Sequence, residues 1–292
     1  MSNVTFGEVS RHRGVSGVPI PEARMPRRAT PRFSLLGPLE VASSEDRIMT
    51  PPAQKIRTVL AVLLVSDNSV VSVSALTREL WEDLPPRTAL QALRVYISQL
   101  RRVLGRLGDG PTLPRLVTQP PGYRLQIEPG SLDIMEFDRL CGKGRQSGSE
   151  QRFELAAHHY RRALGLWRGS ALSDVRGGPL LDGAALRLEE GWLAALARRI
   201  DLDLRLGRHL DLVAELKGLT TEHPLNESLQ ARLMIALCRS GRTGEALGVY
   251  RRVRRSLVEQ LDVEPNQELR RVHQAVLSSD DRIFEQVDLW AL

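Results

Sequence analysis

Pro86-Arg-Thr-Ala-Leu-Gln-Ala-Leu-Arg-Val-Tyr-Ile-Ser-Gln-Leu-Arg-Arg-Val-Leu-Gly-Arg-Leu-Gly108 is the stretch whose reading decides the fold. Leu90, Leu93, Ile97, Leu100 and Leu104 recur three and four residues apart, so the spacing predicts an amphipathic helix from Arg87 to about Leu104, ending near Gly105. The stretch carries five arginines (Arg87, Arg94, Arg101, Arg102, Arg106) and no acid, a net of +5. On a helical wheel Arg87, Gln91, Arg94, Ser98 and Arg101 share one face, opposite or beside the leucine stripe, with Thr88 and Arg102 flanking it. Within the stretch no carboxylate stands one turn away, so this face repels itself unless anions are supplied from outside. An α-helix fits the DNA major groove, where arginine can bond guanine and glutamine adenine bidentately. Arginine also holds phosphate bidentately, which lysine cannot do. The competing reading is a solvated charged face.

Working outward, the flanks suit a groove-reading helix. Upstream, Ala53 to Val65 is predicted as a helix, Val70-Val71 as a brief strand, and Val73 to Trp81 as a second helix capped by Ser72 or Ser74 and containing Glu79. Pro85-Pro86 forces a break before the arginine helix. Downstream, Leu116 to Gln119, a Pro120-Pro121-Gly122 turn and Tyr123 to Ile127 predict a two-stranded hairpin. Helix, helix, hairpin is the order of a winged helix, in which the later helix enters the groove and the hairpin touches the backbone. Before it, Arg32 to Gly37, Leu39 to Val41 and Arg47 to Met49 are three β-prone pieces at hairpin spacing, and they predict a small antiparallel sheet. Trp81, Tyr96 and Tyr123 read as core aromatics.

The rest of the chain differs in character. Pro129-Gly130 marks a boundary, and Gly142 to Ser149 reads as a flexible stretch. Helices are predicted at Arg152 to Trp167 and Asp182 to Leu206. A repeat follows at an offset of 34 residues: Ala197 matches Ala231, Ile200 Met234, Leu204 Cys238, Gly207 Gly241, Val213 Leu247, Leu216 Tyr250 and Leu219 Val253. Helix, glycine turn and helix at that period is the tetratricopeptide pattern. The fold class expected is mainly α with a small β component: an N-terminal winged helix-turn-helix followed by an all-α, tetratricopeptide-like repeat domain. The domains expected are a basic, disordered arm at 1–31, a winged helix at 32–129, the helical domain at 130–277 and a tail at 278–292.

Charge placement agrees with this division. The chain has 41 Lys+Arg against 35 Asp+Glu, a net of +6. Residues 1–32 carry +4 and residues 33–129 carry +2, whereas 130–292 is neutral, so a polyanion would meet the N-terminal part. The longest apolar run, Val59 to Val65, is too short to span a bilayer, and no secretory signal is visible. Cys141 and Cys238 stand far apart without a CxxC, which argues against a zinc site or disulfide framework and for the cytoplasm. His158 and His159 are adjacent and point to different helix faces, so neither metal nor cofactor is expected. No nucleophile-elbow glycines accompany Ser, His and Asp, and no catalytic residues are expected.

Several motifs carry a family resemblance. The N-terminal sheet, Leu80-Trp81 with Pro85-Pro86, Tyr96-Ile-Ser-Gln-Leu-Arg-Arg102 and the wing Pro120-Pro-Gly-Tyr-Arg-Leu125 resemble the OmpR/PhoB-type winged helix, in the version found in Streptomyces antibiotic regulatory proteins. Ala163-Leu-Gly-Leu-Trp-Arg-Gly169 and Gly241-Arg-Thr-Gly-Glu-Ala-Leu-Gly-Val-Tyr250 are similar to that family's bacterial transcriptional activation domain. Glu82 stands where the family usually has glycine, and Gln99 replaces a commonly basic residue. No G-x-x-x-x-G-K-[ST] occurs, and the expectation is a small member without a receiver domain. The resemblance implies a pathway-specific activator of a secondary-metabolite gene cluster, acting in the cytoplasm at the nucleoid. It would bind direct repeats near the −35 region of double-stranded promoter DNA, as a head-to-tail pair. It would recruit RNA polymerase through sigma factor, core subunits and the alpha C-terminal domain. Gln91, Arg94, Ser98, Arg101 and Arg102 are then the groove-facing candidates. Arg87, Thr88, Tyr123 and Arg124 are the phosphate candidates, and Glu82, Asp83 and Leu84 the polymerase-facing loop. A repeat-type interaction scaffold and a DNA-binding repressor or co-regulator are the alternatives.

Overall fold

The computed structural model describes residues 30–108, 113–175 and 177–278. The arm expected at 1–31 and the tail at 278–292 lie, apart from Thr30, Pro31 and Ser278, outside the described residues. The described residues fall into two compact units, 30–143 with 161–194 and 144–160 with 195–278.

The first unit opens with strands β1 (Arg32–Ser34) and β2 (Glu40–Ala42), antiparallel with Phe33 opposite Val41. The third β-prone piece, 47–49, makes only a single bridge, from Ile48 to Ala42. Ser43 accounts for this: its N–H donates to the Arg47 carbonyl at 2.9 Å, and its hydroxyl accepts from the Glu45 and Arg47 N–H groups. The ladder ends in that turn. Helix α1 (Gln54–Val65) is buried from Val59 to Leu64, so it serves as the central post of the unit. Strand β3 (Val71–Ser72) leads into α2 (Val73–Trp81), where the Ser72 hydroxyl accepts the Ala75 N–H at 3.1 Å as the N-cap. Helix α3 (Ala89–Leu104) follows, then the wing strands β4 (Arg115–Gln119) and β5 (Gly122–Gln126). The second sheet runs β3-β5-β4, all antiparallel.

Helix α3 begins at Ala89, later than the expected Arg87, and its buried stripe is Ala89, Leu93, Ile97, Leu100 and Leu104. Leu90, expected in that stripe, is 56 % exposed. Arg87 and Thr88 form a turn instead, closed by the Ala89 N–H donating to the Pro86 carbonyl at 2.9 Å, so the helix starts with Ala89 facing inward and Leu90 turned out.

Helices α4 (Asp133–Ser149), α5 (Phe153–Leu164) and α6 (Pro179–Arg205) come next. The expected flexible stretch Gly142 to Ser149 is the last part of α4. Its small residues are a packing requirement: a Cβ on Gly144 would lie 2.7 Å from the Tyr160 ring, and Ser147 is buried. Residues beyond 129 also complete the first unit. Leu132, Leu172, Leu181 and Ala184 lie in one apolar core with Phe33, Leu35, Leu76, Leu80 and Ile97. Asp133 accepts the N–H groups of Leu35 and Leu36 at 2.8 and 2.9 Å, and Asp174 accepts that of Leu39 at 2.7 Å. Burial pushes the Asp133 carboxyl above the usual range, although those N–H groups and Arg168 pull it down. Arg168 and Leu172 donate their own N–H groups to Leu36 and Leu35. The segment 168–174 thus forms a strap across the N-terminal sheet.

The second unit contains α7 (His209–Glu222), α8 (Glu227–Arg239), α9 (Thr243–Leu261) and α10 (Gln267–Ser278). The matched glycines turn alike: Gly207 has φ +77° and Gly241 φ +73°. Each is followed by an arginine N–H reaching back five residues, Arg208 to the Asp203 carbonyl and Arg242 to that of Leu237. Glycine takes this conformation without a Cβ penalty, so the same helix stop recurs one repeat apart. Arg232, 1 % exposed, is held bidentately by Asp201 at 2.8 and 2.9 Å. Among the described residues no helix is long and apolar enough to cross a membrane.

Candidate nucleic-acid interface

Helix α3 presents Gln91, Arg94, Val95, Ser98, Gln99 and Arg102 to the outside, opposite its buried stripe. Among the described residues no carboxylate pairs with Arg87, Arg94, Arg101, Arg102 or Arg106. Some other arginines of the same unit do find carboxylates, Arg57 with Asp174 and Arg139 with Glu136. The start of α3 is equally open. Thr88 is the N-cap residue, yet its hydroxyl makes no capping bond, and the first turn holds no acid. Unpaired N–H groups at a helix N-terminus attract phosphate, and exposed Arg87 and Thr88 stand there.

The structure gives Arg101 a different surrounding from the other groove candidates. Its Nε donates to the Leu116 carbonyl at 3.2 Å and its Nη2 to the Thr118 hydroxyl at 2.8 Å, so it ties α3 to β4. In the wing, Tyr123 is half-buried against the core, paired with Val71 on one side and Thr118 on the other. Arg124 is half-buried opposite Val117, and its buried Nε has no hydrogen-bond partner. The loop residues Glu82, Asp83 and Leu84 are exposed, Leu84 by 87 %. Glu82 takes φ +52° and ψ −125°, a conformation that favours glycine.

Sequence reasoning passed over two contributors. Val95 is 51 % exposed in the middle of the outward face, between Gln91 and Gln99. Its signal was an apolar residue off the leucine stripe. Glu79, noted only as part of α2, is a buried anchor, and no local pattern could have shown its partners a hundred residues away. Among the described residues no group of three or more His, Cys, Asp or Glu could hold a metal ion.

An exposed, unpaired arginine helix set between a capped helix and a wing defines a winged-helix DNA-binding transcriptional regulator. Comparison with known proteins extends this: residues 51–125 match the family described as Transcriptional regulatory protein, C terminal, and residues 132–277 match the Bacterial transcriptional activator domain. The chain belongs to the Streptomyces antibiotic regulatory protein family, whose members are transcriptional regulators and not enzymes. It is 42 % identical over 256 residues to the regulatory protein DnrI of Streptomyces peucetius, covering 86 % of this chain and 94 % of that one. It is 35 % identical to the regulatory protein AfsR of Streptomyces griseus, covering 92 % of this chain but only 28 % of that longer protein. A solved structure of Mycobacterium tuberculosis EmbR in complex with a low-affinity phosphopeptide superposes with a TM-score of 0.80 at 35 % identity, over 85 % of this chain and 65 % of that one.

Proposed function

We propose that this regulator is a pathway-specific activator of a secondary-metabolite gene cluster. It binds direct repeats near the −35 region as a head-to-tail pair and recruits RNA polymerase through sigma factor, core subunits and the alpha C-terminal domain. The observation that carries the reading is the α3 face, whose arginines have no carboxylate partner among the described residues. Gln91, Arg94, Ser98 and Arg102 read base edges, with Arg101 at the junction to the wing. Arg87, Thr88, Tyr123 and Arg124 take phosphates, which position the helix without carrying sequence information. Glu82, Asp83 and Leu84, exposed ahead of α3, face the polymerase. The chain acts in the cytoplasm, at the nucleoid.

The test pairs two assays. Affinity for the promoters flanking its own gene and for random duplex is measured across a salt series. Run-off transcription with purified polymerase is then measured on the same promoters. Promoter binding should exceed random binding throughout, with the salt slope steepening by about 0.9 for each phosphate neutralised, and transcription should rise. Equal affinity for both DNAs defeats the reading, and a fall in transcription makes the protein a repressor.

A further inference from the structure

We infer that Glu79 is a positioning residue for DNA recognition: it clamps the N-terminus of α6 to the last turn of α2, and that turn sets the attitude of α3. Glu79 is 4 % exposed, and its carboxylate accepts three backbone N–H groups, those of Gly178, Leu180 and Leu181 at 2.9, 2.8 and 3.2 Å. These are among the donors that a helix start leaves without intrahelical partners, and a carboxylate there also meets the positive end of the helix dipole. The approach is close. A Cβ on Gly178 would lie 3.2 Å from Glu79 Oε1 and 3.3 Å from the Arg78 carbonyl oxygen.

The same turn of α2 is tied to the reading helix. Two residues on, Trp81 stacks on Tyr96 of α3 with ring centroids 6.4 Å apart and 27° between planes. Lys55 braces that turn, donating to the Leu80 carbonyl at 2.7 Å with its ammonium 4.8 Å from the Trp81 ring centre. Leu181 and Ala184 of α6 share the apolar core with Leu80 and Ile97. One helical turn is therefore bonded to α6 at Glu79 and to the recognition helix at Trp81. Replacing the carboxylate by an amide turns one of its two acceptor oxygens into an NH2 donor, which faces at least one of the three N–H groups and loosens α6 on α2. The end of α2, and Tyr96 with it, then loses its fixed reference.

Base readout and phosphate binding respond differently to such a shift. Bidentate contacts to base edges depend on the pitch of α3, whereas phosphate contacts by long arginines tolerate small displacements. A residue needed only for stability would reduce the active fraction and leave the ratio of specific to non-specific affinity untouched. Glu79 changes the ratio.

The experiment uses the full-length chain. Wild type, Glu79→Gln and Gly178→Ala are titrated against the duplex that wild type selects from a random-sequence library, and against a scrambled duplex of the same length. Active fractions are fixed by stoichiometric titration. Glu79→Gln should weaken binding to the selected duplex about tenfold and to the scrambled duplex less than about twofold, the first figure being the loss of roughly one good base contact. Gly178→Ala keeps the carboxylate but forces α6 outward by a few tenths of an ångström, and should shift the ratio the same way, by about threefold. An unchanged ratio in both variants overturns the inference, whether affinity is preserved or falls equally on both duplexes. Should Glu79→Gln lose helical circular dichroism, the ratio for Gly178→Ala decides alone. The inference rests on sequence-specific binding through α3. A wild type that selects no sequence overturns that reading itself, an outcome distinct from a selective wild type whose variants keep its ratio.

Discussion

Cutting the chain after residue 129 should ruin the DNA-binding unit, although the cut falls between the two matched families. The deletion removes Leu132, Leu172, Leu181 and Ala184 from a core they share with Phe33, Leu35, Leu76, Leu80 and Ile97. A fully buried leucine contributes about 1.5–3 kcal/mol, so three of them, which cover a comparable area of the core left behind, represent about 5–9 kcal/mol. The cut also takes away the Ser131 carbonyl and the carboxylates of Asp133 and Asp174, the acceptors for the N–H groups of Phe33, Leu35, Leu36 and Leu39. Whole domains are stable by only about 5–15 kcal/mol. Residues 1–129 should therefore lie at or beyond the edge of folding, whereas a chain ending at 194 keeps the strap and the core. Urea unfolding followed by far-ultraviolet circular dichroism and by tryptophan fluorescence, from Trp81 alone in 1–129 and from Trp81, Trp167 and Trp192 in 1–194, compares the two. A shallow, non-coincident transition is expected for 1–129 and a cooperative one for 1–194. If 1–129 unfolds cooperatively with a stability within about 1 kcal/mol of 1–194, the shared-core reasoning is wrong.

Arg94→Ala should cost about 1–3 kcal/mol on the selected site and relax preference at one base pair, whereas Arg124→Ala should weaken all duplexes about equally and lower the salt slope by about 1; binding titrations on a panel of single-base variants separate the two. Glu82→Gly should stabilise the protein by about 1 kcal/mol, because a non-glycine residue at φ +52°, ψ −125° stores strain of that order; thermal unfolding should show a higher midpoint, and an unchanged or lower one counts against the turn geometry. Asp201 lies in a buried pair with Arg232, and burial, which outweighs the pull of that arginine, raises its carboxyl from 3.8 to about 6. The folded chain therefore holds a proton there that the unfolded chain releases near pH 4, so this group's contribution to stability is complete below pH 4 and is lost as pH rises through about 6. Asp201→Asn should flatten that component, read as the difference between the two proteins' urea midpoints from pH 4 to 7; parallel curves would contradict it.

Local chemistry was legible and distant chemistry was not. The span of α2, its Ser72 cap and the wing follow from short patterns in Val71 to Trp81 and Leu116 to Ile127. The repeat was legible because Gly207 and Gly241 meet the same conformational demand at the same period. Gly142 to Ser149 misled because glycine and serine signal flexibility only when nothing packs on them, and here Tyr160 does. The start of α6 at Pro179, ahead of the expected Asp182, is met by the carboxylate of Glu79, which lies about a hundred residues earlier. No periodicity encodes an acceptor that far away. The shared core escaped for a similar reason: Leu172 and Leu181 look like ordinary helical-domain leucines until the fold brings them beneath the N-terminal sheet.

Arginine shows what makes a candidate interface legible in sequence. A guanidinium is always charged, so its role depends on which acceptors lie within reach. Arg232 and Arg199 are absorbed by Asp201, Asp203 and Glu215, and such structural arginines are indistinguishable in sequence from binding ones. In α3 the absence of acid is itself written in the sequence, because helix neighbours are local. That local test isolates Arg94, Arg101 and Arg102. It cannot see acceptors that arrive from another element, and Arg101 illustrates the limit, since the Leu116 carbonyl and Thr118 hydroxyl come from the wing. Arg101 thus ties α3 to the wing, while Arg94 and Arg102 have no carboxylate partner among the described residues.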